Sequence, residues 1–198
     1  MTGKANKFRA DELIRPGFEW VLRGKGIATE QVDGAACAII NGRLYKRFIA
    51  RPNRGAFEPD GAIHCQEYPD RNGRMPCWIP VRDTEEDKWY IEAYLNTPWN
   101  REDGTYEAVG VHFRNNPYGL DADFLEAHGR IKVRDFPRDF YGMKEYLRTH
   151  DIEGVVFWNG GEPRCKVKKA DFGFEFPDKR CRLEETHRRI AYEKSNHG

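Results

Sequence analysis

From Phe18 onward the hydrophobic and polar positions turn to the short-period pattern of extended chain. Phe18–Leu22 and Ile27–Val32 predict strands, separated by the Gly24-Lys25-Gly26 turn. The clearest local signal follows. Ala36–Ile40 and Arg43–Ile49 flank Asn41-Gly42, a dipeptide that suits a type I′ hairpin because both central residues need positive φ. Residues 50–83 are rich in Pro, Gly, Asn and Asp and predict long loops, with a short strand at Trp78–Val81. Thr84 followed by Glu85, Glu86 and Asp87 reads as an N-cap with an acidic first turn. The helix it opens, to about Asn96, is expected to turn Trp89, Ala93, Ile91 and Leu95 toward the core.

Thr105–Val109 predicts a further strand, and Asp135 before Phe136-Pro137 opens a helix to about Thr149, with Phe140, Met143 and Leu147 on one face. Gly154–Trp158 and Arg164–Lys169 form a second hairpin about Asn159-Gly160-Gly161, and Leu183–Lys194 reads as an amphipathic helix. Strands outnumber helices and no repeat is visible, so the expected class is α+β, with antiparallel sheets flanked by helices. The expected organisation is a polar lead-in (1–17), one domain (18–176) and a basic tail (177–198).

Composition changes this picture little. Charged residues are 33% and mean hydropathy is −0.83, which lean toward disorder, but 13% aromatics indicate a packed core. The formal net charge of +1 announces no nucleic-acid partner. The distribution says more: basic residues cluster at Arg43, Lys46, Arg47, Arg51 and Arg54, at Lys166, Lys168 and Lys169, and from Lys179 to Arg189, as a phosphate-holding groove requires. The five cysteines (Cys37, Cys65, Cys77, Cys165, Cys181) include no CxxC, which fits reduced thiols. His64, Cys65 and Cys77 could ligate zinc, although their spacing matches no standard finger. Without a signal peptide or long apolar run, the expectation is a cytoplasmic monomer with no membrane attachment.

The strand ends carry the chemistry. Glu30-Gln31-Val32-Asp33-Gly34 ends one strand and Arg43-Leu44-Tyr45-Lys46-Arg47 forms the far arm of the hairpin. Gly104–Gly110 contains Glu107, Ile152–Phe157 contains Glu153, and Cys165-Lys166-Val167-Lys168 follows. By alternation Cys165 and Val167 point one way while Lys166 and Lys168 point the other, so both ammonium groups reach one side. This succession resembles motifs I, Ia, III, IV and V of the covalent nucleotidyltransferase superfamily. Its context, GKGIATEQVDGAACAIINGRLYKRF and IEGVVFW…KVKKADFG, is most similar to small RNA ligases of the RNA ligase 1 type, over about Trp20 to Phe174.

The resemblance implies a nucleotidyltransferase (ATP-grasp-like ligase) fold and a three-step reaction. A lysine attacks the α-phosphate of ATP and expels pyrophosphate, AMP passes to the 5′-phosphate of RNA, and a 3′-hydroxyl displaces AMP. ATP, Mg²⁺ (or Mn²⁺) and RNA bearing 5′-phosphate and 3′-hydroxyl ends are the implied partners. By the same resemblance, Glu30 helps seat adenine, Asp33 and Gly34 shape the turn, and Arg47, with Lys46 beside it, lies near ribose and phosphate. Glu107 and Glu153 are carboxylates for ribose and metal, with Asp33 a further contact to metal-bound water. Lys166 and Lys168 hold phosphates and depress the nucleophile's pKa. Phe113, Tyr118 and Phe140 are candidates to stack on adenine. The expectation is a single adenylate pocket gathered from neighbouring strands.

One position departs from the pattern: residue 31 is glutamine where the nucleophilic lysine belongs. A carboxamide nitrogen is delocalised into its carbonyl and cannot form the phosphoramidate. An engineered step-one-inactive variant is one explanation and a naturally decayed pseudoenzyme is the other. DNA ligases and capping enzymes generally append an OB-fold module after motif V, and only about two dozen residues follow Phe174 here, so no OB-fold domain is expected. The rivals are a DNA ligase-like enzyme and an inactive nucleotide- or RNA-binding pseudoligase.

Overall fold

The computed structural model describes residues 9–98 and 101–177. In chain order its elements are α1 (Glu19–Leu22), β1 (Ile27–Gln31), β2 (Ala35–Ile40), β3 (Arg43–Ala50), β4 (Ile63–His64), β5 (Met75–Pro80), α2 (Lys88–Leu95), β6 (Gly104–Val109), β7 (Phe124–Ala127), α3 (Phe140–Thr149), β8 (Gly154–Asn159) and β9 (Glu162–Lys168). The class is α+β with antiparallel sheets, as the pattern predicts. The chain divides into two compact units, residues 1–32 with 129–198, and residues 33–128, and each sheet lies within one of them.

The first unit holds a three-stranded sheet in the order β1-β8-β9. Val155 and Phe157 of β8 turn one face toward Val21, Phe136, Met143 and Leu147, the last fully buried. This is the core beneath α1 and α3, and it fixes the sheet's orientation. The β8–β9 hairpin carries a bulge: Phe157 faces Cys165 but Trp158 faces Pro163, so Arg164 is the extra residue. Two expectations fail here. Phe18–Leu22 is not a strand, because Glu19–Leu22 closes a single helical turn whose Glu19 carboxylate accepts from the Gly17 N–H at 3.0 Å; a five-residue apolar run does not reveal its own period. The second helix starts at Phe140, not near Asp135, because Asp135 is left-handed (φ 53°) and Asp139 is the residue whose carboxylate caps the Gly142 N–H at 2.8 Å. The expected tail helix lies outside the described residues.

The second unit holds a six-stranded sheet in the order β4-β5-β3-β2-β6-β7. The β2–β3 hairpin turns through Asn41 (φ 51°) and Gly42 (φ 72°), the left-handed pair that a type I′ turn needs. Cys37, Ile39, Leu44, Tyr106, Ala108 and Leu125 form the buried core, with Trp89, Tyr90 and Ala93 of α2 packed on it. Helix α2 begins at Lys88 rather than after Thr84, because the Asp87 carboxylate reaches back to the Arg82 N–H (2.9 Å) and to Lys46. Leu95, expected toward the core, is 60% exposed. Strands β4 and β7 were not expected; β7 is a four-residue edge strand without alternation in its letters.

Candidate functional site

In the first unit, register decides which side chains meet. Gln31 lies opposite Gly154, and Gly154 lies opposite Lys168. Gln31, Gly154 and Lys168 therefore form one row across the sheet, on the face away from Val155 and Phe157. Glycine keeps the middle of that row low: a Cβ at position 154 would come within 2.4 Å of the Val167 carbonyl oxygen. Across this notch the Glu153 carboxylate joins the two flanking side chains, accepting from Gln31 Nε2 at 2.7 Å and from Lys168 Nζ at 2.9 Å. The Glu153 and Lys168 side chains are 18% and 31% exposed, so the pair is partly shielded from water.

A carboxylate only accepts, so the Gln31 amide must turn its nitrogen to Glu153. Its other end, Oε1, is then buried with no hydrogen-bond partner, the only such side-chain atom among the described residues. Lys166 stands two residues from Lys168 on the same sheet face and is exposed. Glu30 alternates to the opposite face and is 8% exposed. Further along β8, Trp158 donates from Nε1 to Thr29 Oγ1 at 2.8 Å. Phe140 packs against Phe172 with ring centroids 5.5 Å apart. On the Cys165 and Val167 side, a cleft of about 1090 Å³ lies among apolar walls such as Ile14, Val21, Phe140 and Met143.

In the second unit, Cys37 faces Lys46 while Ala36 faces Glu107. Alternation thus sets Arg47 and Glu107 on one face of the sheet and Lys46 on the other. Lys46 is ion-paired with Asp87, whose side chain is buried. Glu107 pairs with His128 at 3.1 Å, and His128 is also bonded to Thr105 Oγ1 at 2.8 Å. The Asp33 N–H donates to the Tyr118 hydroxyl at 2.6 Å, and Arg114 Nε donates to the Gly34 carbonyl at 2.9 Å. Gly34 lies so close to β6 that a Cβ would meet the Ala108 carbonyl oxygen at 2.5 Å. Phe113 is a core residue, packed edge-on to Tyr90 at 5.1 Å. The partners Asp87, His128 and Arg114 had no signal in sequence spacing: Asp87 comes from the start of α2, and Arg114 and His128 from the segments on either side of β7.

Arg51, Arg54 and Arg74, with Asn53 and Asn72, line a small cleft of about 190 Å³ in this unit. Arg51 precedes and Arg54 ends a single 3₁₀ turn, Pro52–Arg54, which turns the basic chain segment back on itself. The backbone N–H groups of Asn72 and Arg74 both bond Asp70 Oδ1, at 2.8 and 2.9 Å, which fixes the other wall. Asp70's carboxyl is held below its ordinary range by these bonds and by the nearby Arg74 and Arg51 charges. No described residue makes an ion pair with the three guanidinium groups. Among the described residues, no helix is long and apolar enough to cross a membrane.

No family model matches the chain. It is similar to proteins named RNA ligase 1 from Rattus norvegicus and Mus musculus, each 24% identical over 222 aligned positions that cover 76% of this chain and 68% of the relative. The protein of that name from Pongo abelii is 23% identical over the same extent. The chain thus has a distant similarity, along most of its length, to proteins named RNA ligase 1.

Proposed function

We propose that this chain is an ATP-dependent RNA ligase domain of the covalent nucleotidyltransferase type, halted before self-adenylylation by Gln31. The observation that carries this reading is the row Gln31–Glu153–Lys168. The nucleophile position, a carboxylate and a lysine, 122 and 15 residues from that carboxylate in sequence, are in direct contact there. In an active ligase those same places hold the amine, the metal-binding carboxylate and a phosphate-holding cation. The assignments of Asp33, Gly34, Arg47, Glu107 and Lys166 to nucleotide follow from the same motif order, whereas Lys46, ion-paired with Asp87, and Glu30, buried, lie on the opposite faces of their sheets. Gln31 supports the second reading, a nucleotide- or RNA-binding pseudoligase.

A divalent cation fits the first unit's residues. Glu153 offers hard oxygen, and the unpartnered Gln31 Oε1 beside it is an acceptor suited to a metal-bound water. When bound, Mg²⁺ supplies charge neutralisation at the phosphates of ATP. The chain's own part is to fix positions. Lys168, steered by Glu153, presents its ammonium toward the bound phosphates, and Lys166 adds a second cation on that face. The lone pair of the Gln31 amide nitrogen is delocalised into its carbonyl, so no enzyme–AMP bond forms.

Sealing of RNA that already carries 5′-AMP does not need residue 31 as nucleophile. There the 3′-hydroxyl gives its proton to solvent and forms the new O–P bond, the phosphoanhydride to AMP breaks, and AMP leaves with its electron pair. The Arg51, Arg54 and Arg74 cleft is assigned to RNA phosphates, which match guanidinium geometry. The test is calorimetric titration with ATP and Mg²⁺, then sealing of nicked RNA with a preformed 5′-adenylate. Binding and sealing without self-labelling supports the ligase reading. Binding without sealing selects the pseudoligase, and absence of ATP binding overturns the ligase reading.

A further inference from the structure

The second unit carries another chemical cluster, on the sheet face opposite Arg47 and Glu107. Pairing of β4 with β5 sets His64 directly across from Cys77, and Cys77 in turn faces Phe48 of β3. Directly opposed residues share a face, so the imidazole and the thiol come together. Glu58, from the loop before β4, adds a carboxylate whose Oε2 lies 2.7 Å from His64 Nε2. One nitrogen, one sulfur and one carboxylate oxygen then lie within 4.8 Å of one another. We propose that Glu58, His64 and Cys77 form a binding site for a borderline divalent cation of the zinc class.

The donor set selects the ion. Thiolate and imidazole favour zinc-like metals, while Mg²⁺ takes hard oxygen donors and demands octahedral geometry. Bonds of about 2.0–2.3 Å to a tetrahedral ion place its ligand atoms roughly 3.3–3.8 Å apart. In the trio His64 Nε2 and Glu58 Oε2 stand closer than this, at 2.7 Å, and no pair exceeds 4.8 Å, so rotation of the two outer side chains suffices to open the space for an ion. Those two are free to rotate: the His64 and Glu58 side chains are 46% and 37% exposed. Cys77 is fully buried and anchors the ion from beneath. Three protein ligands facing solvent on one side leave a fourth position for water or an incoming ligand.

Without the ion the site sits in its neutral form. Burial, with Glu58 nearby, pushes the Cys77 thiol up, and its Sγ–H donates to the Met75 carbonyl at 3.4 Å. Binding replaces that proton: the S–H bond breaks, sulfur's electron pair goes to the metal, and the proton goes to solvent. Cys65, which sequence spacing groups with His64 and Cys77, is not one of the trio. It alternates to the other face, where the Arg47 charge acts on it, although burial still pushes its thiol up to about 11.

The experiment uses the full chain under reducing conditions, with Co²⁺ as spectroscopic probe and Zn²⁺ as competitor. One equivalent of Co²⁺ should give thiolate-to-metal charge transfer with four-coordinate ligand-field bands, and Zn²⁺ should displace it. Charge transfer should vanish in Cys77→Ser, and affinity should fall at least tenfold in His64→Gln and in Glu58→Gln. Because Cys77 is buried, the two exposed substitutions keep the test decisive if Cys77→Ser does not fold. Absence of saturable binding, charge transfer that persists in Cys77→Ser, or unchanged affinity in both exposed variants overturns the proposal. ATP and RNA take no part in the readout, so this site stands or falls apart from the ligase reading.

Discussion

Replacing Gln31 by lysine probes chemistry and packing at once. In the present chain Glu153 accepts from the Gln31 amide and the Lys168 ammonium, while Gln31 Oε1 is buried without a partner. An orphaned buried acceptor costs about 1–3 kcal/mol, and Gln31→Lys removes it. Against this stands a second ammonium on the same carboxylate. Two cations about 5 Å apart at an effective dielectric of about 20 repel by about 3 kcal/mol. The effects nearly cancel, so the variant should unfold within about 2 kcal/mol of the present chain in urea. The Lys168 repulsion acts against protonation of the introduced amine, while the Glu153 carboxylate it would touch acts for it. Incubation with α-labelled ATP and Mg²⁺, followed by denaturing electrophoresis, should show a covalent band only in Gln31→Lys. Its rate should rise about tenfold per pH unit and level off once the amine is free. A labelled band from the present chain refutes the reasoning, as does a folded Gln31→Lys variant that binds ATP and remains unlabelled.

Other outcomes follow from the same structure. Glu153→Ala strips Gln31 Nε2 and Lys168 Nζ of their acceptor and should destabilise the chain by about 1–3 kcal/mol in urea unfolding; an unchanged midpoint would separate the three side chains. Substituting Arg51, Arg54 and Arg74 together by alanine should weaken single-stranded RNA binding and flatten the log affinity–log salt slope by about 2, measured by fluorescence anisotropy; an unchanged slope removes RNA from that cleft. Stability should also fall at alkaline pH. Burial raises the Cys37 thiol and pushes Tyr90 up to about 12, so the folded state holds these protons more tightly than the unfolded chain. The contribution is complete below the ordinary thiol and phenol values and is lost as pH climbs through the raised ones. Urea midpoints flat from neutral pH to pH 11 would contradict it.

The two hairpins were legible because Asn41-Gly42 and Asn159-Gly160-Gly161 supply backbone conformations that few other residues adopt. The facing of Lys166 and Lys168 was legible too, since Cys165 and Val167 are the partly buried pair of that strand. Helix starts were not. Asp87 and Asp139 define them through bonds to Arg82 and Gly142, and Thr84 and Asp135 offered equally good letters. Edge strand β7 has no alternation to read, and Leu95 points outward because α2 packs on the sheet through Trp89, Tyr90 and Ala93. The meeting of Gln31 with Glu153 depends on β1 lying beside β8 in one register, a long-range choice that no local window contains. Glu58 joins His64 and Cys77 by loop geometry alone, so the sequence offered Cys65 in its place.

The extra residue Arg164 divides the last hairpin into two phases. On the tip side, Trp158 and Asn159 pair with Pro163 and Glu162, while on the base side Val156 and Gly154 keep Lys166 and Lys168 in step. The bulge thus acts as a mechanical clutch: twist or added length at Asn159–Glu162 is taken up at Arg164 and is not passed to the lysines. The tip is consequently the place to graft a fluorophore or an affinity handle, since it can be rebuilt while the cationic row keeps its alignment.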